Sequence, residues 1–284
     1  MPRWAALNLN GNKACCRPAL SRRRSILTGS FEGVADVLVI SDLHAMSPDV
    51  DVGRFMQFVD LHPAKMLVLA GDTLDFYMWR HGRTKLDTRP ATEVLDYLLK
   101  LADIGVDILI LPGNHDVDWA WLSGSVCPPK RYARAQFPDG LKERMDSLLA
   151  MDNVSVANVI ALGGAMIVHG HEGWEGDWLW RMSEWGDRAT GYKLVGGQMR
   201  RKIMGGAPLS VRAAAVQGHG FYRRLAKWGL KMGVKHVIHG HTHVHGQRQR
   251  FGVVIDCLPA WRPSEGPGGG MLLKDGQWET VLAK

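Results

Sequence analysis

The stretch Lys65-Met66-Leu67-Val68-Leu69-Ala70-Gly71-Asp72-Thr73-Leu74-Asp75 is a short aliphatic run that stops abruptly at a glycine and a carboxylate. Brief apolar runs without polar alternation suit parallel strands buried on both faces. Two further runs repeat the plan. Residues 36–41 end at Asp42-Leu43-His44, and residues 106–111 lead into Gly113-Asn114-His115-Asp116. Between them, residues 52–61 and 91–104 carry apolar side chains at helical spacing, and Gly105 supplies a C-terminal cap for the second. Strand, helix, strand, helix, strand is the doubly wound pattern, which puts ligands at the carboxyl ends of its strands.

The second half is richer in strands. A helix is expected at 140–151, and strands at 153–160, 165–168, 235–238, 253–257, 270–274 and 277–282. Two such halves stack sheet on sheet with helices outside. Residues 172–233 break the alternation. They carry Trp174, Trp178, Trp180, Trp185 and Trp228, and Trp174, Trp178, Met182 and Trp185 fall on one helical face. This segment reads as a helical insert over the site, with Trp79 and Trp119 extending its aromatic wall.

Composition bounds the class. A chain of 284 residues, 46% hydrophobic and 22% charged, supports a large core, and no window is apolar for long enough to span a membrane. Cys15, Cys16, Cys127 and Cys257 match neither a disulfide ladder nor a zinc spacing, so reduced thiols and a cytoplasmic location are expected. The net charge of +7 is uneven: residues 1–33 carry +5, residues 172–236 carry +7, and the remainder carries −5. That field favours phosphorylated or membrane-surface partners. Residues 1–33 are expected to form a disordered basic leader before one domain over 34–284. The Arg22-Arg23-Arg24 run in the leader is followed by Glu32 and Asp36, without the apolar stretch and small-residue cleavage site of an export signal.

Five patches carry the chemistry: Asp42-Leu43-His44, Gly71-Asp72-Thr73-Leu74-Asp75, Gly113-Asn114-His115-Asp116, His169-Gly170-His171 and Gly240-His241-Thr242-His243. Two divalent cations about 4 Å apart clamp a phosphoryl group and generate hydroxide at neutral pH. They need a shared carboxylate to offset their repulsion and nitrogen and oxygen donors on either side. Asp72 is placed to bridge. Asp42 and His44, two apart on an extended backbone, point to one side and can grip one metal together, and His241 and His243 share that spacing. Each patch alone has an ordinary structural reading; the ordered set of five points to a dinuclear phosphoesterase.

The ordered set resembles the calcineurin-like metallophosphoesterase superfamily, whose pattern is Asp-x-His, Gly-Asp-x-x-Asp, Gly-Asn-His-Asp/Glu, His, and Gly-His-x-His. The resemblance implies a four-layer α/β/β/α sandwich holding two divalent metal ions, with Mn²⁺ foremost and Fe or Zn²⁺ as alternatives. It implies Asp42, His44 and His243 on one ion, Asn114, His169 and His241 on the other, and Asp72 bridging. His169 is favoured over His171 because the family's histidine ends its strand and is followed by glycine. His115 would protonate the leaving oxygen or stabilise the pentacovalent phosphorus, Asp116 would orient its ring, and a bridging hydroxide would attack in line. His239 and His245 are expected just outside the ligand shell, and His236 near the surface.

The insert is similar to the helical lid of UDP-2,3-diacylglucosamine hydrolases, which implies a lipid-linked phosphate substrate and peripheral membrane contact. That group carries arginine where this chain has His115, and Arg-Pro where it has Val244-His245. The substrate readings are therefore a small-molecule phosphate ester or pyrophosphate, a lipid-nucleotide pyrophosphate, or nucleic acid tracked by the basic insert. A non-catalytic scaffold is the remaining class.

Overall fold

The computed structural model describes residues 34–76, 87–116, 140–171, 220–263 and 266–284. The leader expected at 1–33, most of the expected insert, Trp79 and Trp119 lie outside the described residues. Among these residues, eleven strands and four helices follow in the order β1 (Ala35–Ile40), α1 (Val52–Leu61), β2 (Ala64–Leu69), α2 (Arg89–Asp103), β3 (Asp107–Ile110), α3 (Leu141–Leu149), β4 (Val154–Val156), β5 (Val159–Leu162), β6 (Ala165–Val168), α4 (Phe221–Lys231), β7 (His236–His239), β8 (Gly246–Arg250), β9 (Val253–Cys257), β10 (Gly269–Lys274) and β11 (Gln277–Leu282).

The strands form two sheets, ordered β11-β10-β1-β2-β3-β4 and β5-β6-β7-β9-β8. β1 to β4 are parallel and joined through helices, while β10 and β11 extend the edge antiparallel. In the second sheet β6, β7 and β9 are parallel, with antiparallel β5 and β8 at its edges.

Side-chain alternation separates the layers. Val37, Val39, Val68 and Leu109 face Ala165, Ile167 and Ile238 of the other sheet. Leu38, Ile40, Leu67, Leu69, Ile108 and Ile110 face α1, α2 and α3. Beyond the second sheet, Met166, Val168, Val237, Val253 and Ile255 pack on Phe221, Leu225 and Ala226 of α4. The result is the expected four-layer α/β/β/α sandwich, with parallel strands buried on both faces.

Local chemistry fixes the helices. Asp51 caps α1 by accepting the Arg54 N–H at 2.9 Å. Pro90 stands at the start of α2, where no backbone donor is needed. The Asn153 amide donates to Ala102 O and Val106 O at 2.9 and 2.8 Å, fastening the α2–β3 turn beside β4.

Two strand expectations change. The single strand expected over 153–160 is β4 in one sheet and β5 in the other, because the chain crosses between sheets at residues 157–158. β8 was not expected, because Gln247, Arg248, Gln249 and Arg250 carry no apolar signal; an edge strand can be this polar. The last part of the segment expected as an insert is α4, which packs against β7 and β9. Among the described residues no helix is long and apolar enough to cross a membrane.

An aromatic cluster joins this core to the strand-end loops. Phe55 is fully buried with its ring edge-on to Tyr97 and Trp261, at 6.2 and 5.5 Å between centroids. The Trp261 backbone N–H donates to Asp42 O at 3.1 Å. Phe55→Ala is expected to destabilise the fold by roughly 3–5 kcal/mol, whereas Leu61→Ala, 68% exposed, should change it by under about 0.5 kcal/mol. Denaturant melts of the two variants compare the values directly.

Candidate metal centre

The motif loops leave the carboxyl ends of β1, β2, β3, β6 and β7, and three of them turn in an unusual way. Asp42, His44, Asp72, Asp75, His241 and His243 all have positive φ, between 51° and 67°. The extended backbone expected for Asp-x-His is therefore a left-handed one. Its cost is about 1–2 kcal/mol per non-glycine residue, and aspartate and histidine are among the types found there most often.

Backbone hydrogen bonds hold these conformations. Asp42 N–H donates to Gly71 O at 3.0 Å, His44 to Asp72 O at 2.8 Å, Ala45 to Thr73 O at 2.9 Å and Met46 to Leu74 O at 3.0 Å. The first two motif loops thus run alongside each other as a continuation of the β1–β2 pairing. Leu43 and Leu74, between the polar positions, are sunk into the helix-side core.

The loops bring together every metal residue expected from sequence. On one side, His243 Nε2 lies 3.0 Å from Asp42 Oδ1 and 3.2 Å from His44 Nε2. On the other, His169 Nε2 lies 3.2 Å from Asn114 Oδ1 and 3.3 Å from Asp72 Oδ2. His241 joins Asp72 and His169 with ligand atoms all within 4.8 Å of one another. Asp72 Oδ2 faces both groups, being 3.7 Å from His44 Nε2 as well. His171 lies one step away, its ring 5.4 Å from that of His169.

The donor chemistry fits cations. His169 Nδ1 is 2.9 Å from Ala70 O, which only accepts, so Nδ1 carries a hydrogen and Nε2 is turned toward Asn114 and Asp72. His44 Nδ1 is likewise engaged by Asp75 Oδ2 at 3.0 Å, which turns its Nε2 toward His243 and Asp72. Imidazole nitrogens, carboxylate oxygens and an amide oxygen therefore converge on one small volume. Nitrogen and oxygen donors without thiolate suit first-row divalent ions.

Sequence comparison agrees with the geometry. The sequence profile described as calcineurin-like phosphoesterase matches residues 35–245. The chain belongs to the calcineurin-like phosphoesterase family. No curated protein sequence matches it. Among solved structures, it is similar to an archaeal phosphodiesterase at 13% identity and TM-score 0.40, over 87% of this chain and 98% of that one. It is similar to vacuolar protein sorting 29 from Cryptosporidium parvum at 13% identity and TM-score 0.40, over 88% and 97%. A cold-active protein-tyrosine phosphatase of a Shewanella species aligns at 17% identity and TM-score 0.39, over 88% and 81%. Likenesses at this level carry no functional information. The family match makes the chain a metal-dependent hydrolase of phosphoester bonds.

Within this phosphoesterase the roles of two carboxylates differ from the sequence expectation. Asp75, not Asp116, meets the His115 ring: its Oδ1 accepts from Nδ1 at 2.6 Å, while its Oδ2 accepts from His44. Asp116 is fully buried and receives the backbone N–H groups of Thr73, of Leu74 at 3.1 Å and of Asp75 at 2.9 Å. It fastens the loop that presents Asp72 and Asp75. In the sequence Asp75 only completes the Gly-Asp-x-x-Asp motif, and its role comes from the left-handed turn that aims it at His115.

Electrostatics follow from burial and neighbours. Burial alone would raise the Asp42 and Asp72 carboxyls, yet His243 holds Asp42 and His169 holds Asp72 below the ordinary range. Burial and the adjacent Asp72 carboxylate push Asp116 up to about 6. Burial would lower His115, but Asp72 and Asp75 outweigh it and raise the ring. Burial, with His169 beside it, drives His241 well below the usual value, so its ring is neutral at neutral pH.

The outlying histidines sort out as well. His239 is fully buried, donates Nδ1–H to Gly240 O at 2.7 Å, and is lowered by burial to about 4. His236 is bound to Asp256 at 2.7 Å, and His245 is exposed.

Close approach explains two glycines. A Cβ on Gly71, where φ is 96°, would collide with the His169 ring, and one on Gly240 would lie 2.1 Å from Asp42 Oδ2. Gly240→Ala is expected to lower the number of metal ions bound per chain while leaving a folded protein, as read by elemental analysis beside circular dichroism. Asp116→Ala strands three buried N–H groups and should cost about 3 kcal/mol or more. An unchanged thermal midpoint would contradict that assignment.

Proposed function

We propose that this phosphoesterase is a dinuclear hydrolase of phosphate esters or pyrophosphates. Asp42, His44 and His243 hold one divalent cation, Asn114, His169 and His241 hold the other, and Asp72 bridges. The observation that supports this most directly is the position of Asp72 Oδ2, 3.7 Å from His44 Nε2 and 3.3 Å from His169 Nε2. Its other oxygen is occupied by the His115 backbone N–H at 2.9 Å. When bound, the two ions supply a hydroxide nucleophile for in-line attack at neutral pH and neutralise charge on the phosphoryl oxygens. Manganese is the first choice, because carboxylate and amide oxygens stand beside the imidazoles and no thiolate takes part.

The side chains divide the remaining work. His115 is the group that meets the substrate: its side chain is 26% exposed, against 3% for His44 and 15% for His243. Asp75 holds Nδ1, which fixes the ring's direction and favours its protonated form. From there His115 donates a proton to the leaving oxygen. Asp75 also grips His44, so one carboxylate sets both a metal ligand and the acid. The substrate is a small or lipid-linked molecule carrying phosphate.

The test is hydrolysis of a panel with added Mn²⁺: a phosphomonoester, a phosphodiester, single-stranded DNA and an acylated UDP-sugar. His115→Ala should lose about 10²–10⁴ in kcat while keeping both metals, and Asp72→Asn should lose metal and activity together. A His115→Ala enzyme turning over at the wild-type rate would sink the reading, and the preferred member of the panel assigns the substrate class.

A further inference from the structure

Among the described residues, the outer face of the second sheet is charged in one sense only. Residues 220–252 contain seven lysines and arginines and no aspartate or glutamate. On α4, Arg223, Lys227 and Lys231 recur along one exposed side, opposite the buried Phe221, Leu225 and Ala226. In the β8–β9 ladder, Arg248 lies opposite Ile255 and Arg250 opposite Val253. Directly opposed residues share a face of the sheet, and Ile255 and Val253 pack under α4. Both arginines therefore flank the helix on its own side. None of these five cations is in an ion pair among the described residues.

Two bare apolar side chains stand in this basic field. Leu230 is 45% exposed between Lys227 and Lys231, and Phe251 is 57% exposed at the hairpin tip next to Arg250. They lie at the same end of the sheet, because Gly229 sits against Val237 and Val253, bringing the last turn of α4 beside the hairpin. The motif loops leave the opposite end of β6 and β7.

We propose that α4 and the β8–β9 hairpin dock this protein on an anionic membrane surface. The lysines and arginines meet lipid phosphates, and Leu230 and Phe251 enter the interface between headgroups and acyl chains. A nucleic-acid strand would use the same cations but gains nothing from an exposed leucine, which has no π face on which a base can stack. The inference does not rest on the reading of the metal centre, since the docking face and the motif loops are at different places on the second sheet.

Flotation of the full chain with phosphatidylcholine vesicles, with and without phosphatidylglycerol, at about 0.1 M salt tests it. The wild type should float only with the anionic vesicles. The triple variant Lys227→Gln, Lys231→Gln, Arg250→Gln should lose roughly a hundredfold in affinity, and Phe251→Ser roughly tenfold with the charges intact. Unchanged thermal midpoints check that both variants fold. Wild-type protein indifferent to phosphatidylglycerol, or either variant floating like wild type, overturns the proposal. So does single-stranded RNA that binds the wild type more tightly than the vesicles and displaces it from them.

Discussion

The site depends on backbone that the chain would not adopt unaided. Six aspartates and histidines are held at positive φ around the centre, and at about 1–2 kcal/mol each their combined cost is comparable with a domain's whole stability. The compensation is visible in the loops. The Asp42–Met46 segment hydrogen-bonds along the Gly71–Leu74 segment, and Asp116 takes three N–H groups from the second of these. Leucines 43 and 74 anchor the same loops in the core. The residue types that coordinate metal are also those that tolerate this backbone, so ligand chemistry and loop geometry are satisfied together.

From that constraint the rest of the centre follows. Because the paired loops continue the β1–β2 register, Asp42 and Asp72 are fixed relative to each other before any ion arrives. His241 is tied in by its backbone N–H, which donates to both Asp42 oxygens at 3.0 and 2.9 Å. That bond crosses from the second sheet to the first. It depends on Gly240, which passes Ser41 and Asp42 too closely for any side chain. The inter-sheet core of Val39, Val68, Ala70, Ile167 and Ile238 sets the sheet spacing, and that spacing sets the reach from His169 and His241 to Asp72.

The sequence was legible where periodicity and strand-end polarity carry the signal. The parallel strands, α1 and α2, the layered architecture and the grouping of the five motifs all follow from apolar runs that stop at Gly, Asp, Asn and His. Three things were not legible. β8 has only Gln and Arg to show, because an edge strand needs little burial. The β4–β5 break is a sheet crossing, to which a continuous run of strand-forming residues is blind. The exchange of roles between Asp75 and Asp116 depends on which carboxylate the left-handed turn at Asp75 aims at His115. Spacing alone does not resolve that direction.

Charge balance bears on the two cations proposed for this site. Asp42, Asp72, Asp75 and Asp116 are all buried, within hydrogen-bond reach of shared neighbours. Four carboxylates in so small a volume repel one another, and removing each from water costs several kcal/mol. The repulsion is already visible at Asp116, which Asp72 and burial drive up to about 6. His115 with its raised pKa offsets part of it, but His241 is held neutral by its surroundings and contributes none. The two divalent ions of the proposed centre would offset the remaining negative charge more fully than one could. In the proposed centre a single ion would use Asp72 Oδ2, which faces both groups, from one side only and would leave the His169 and Asn114 donors idle.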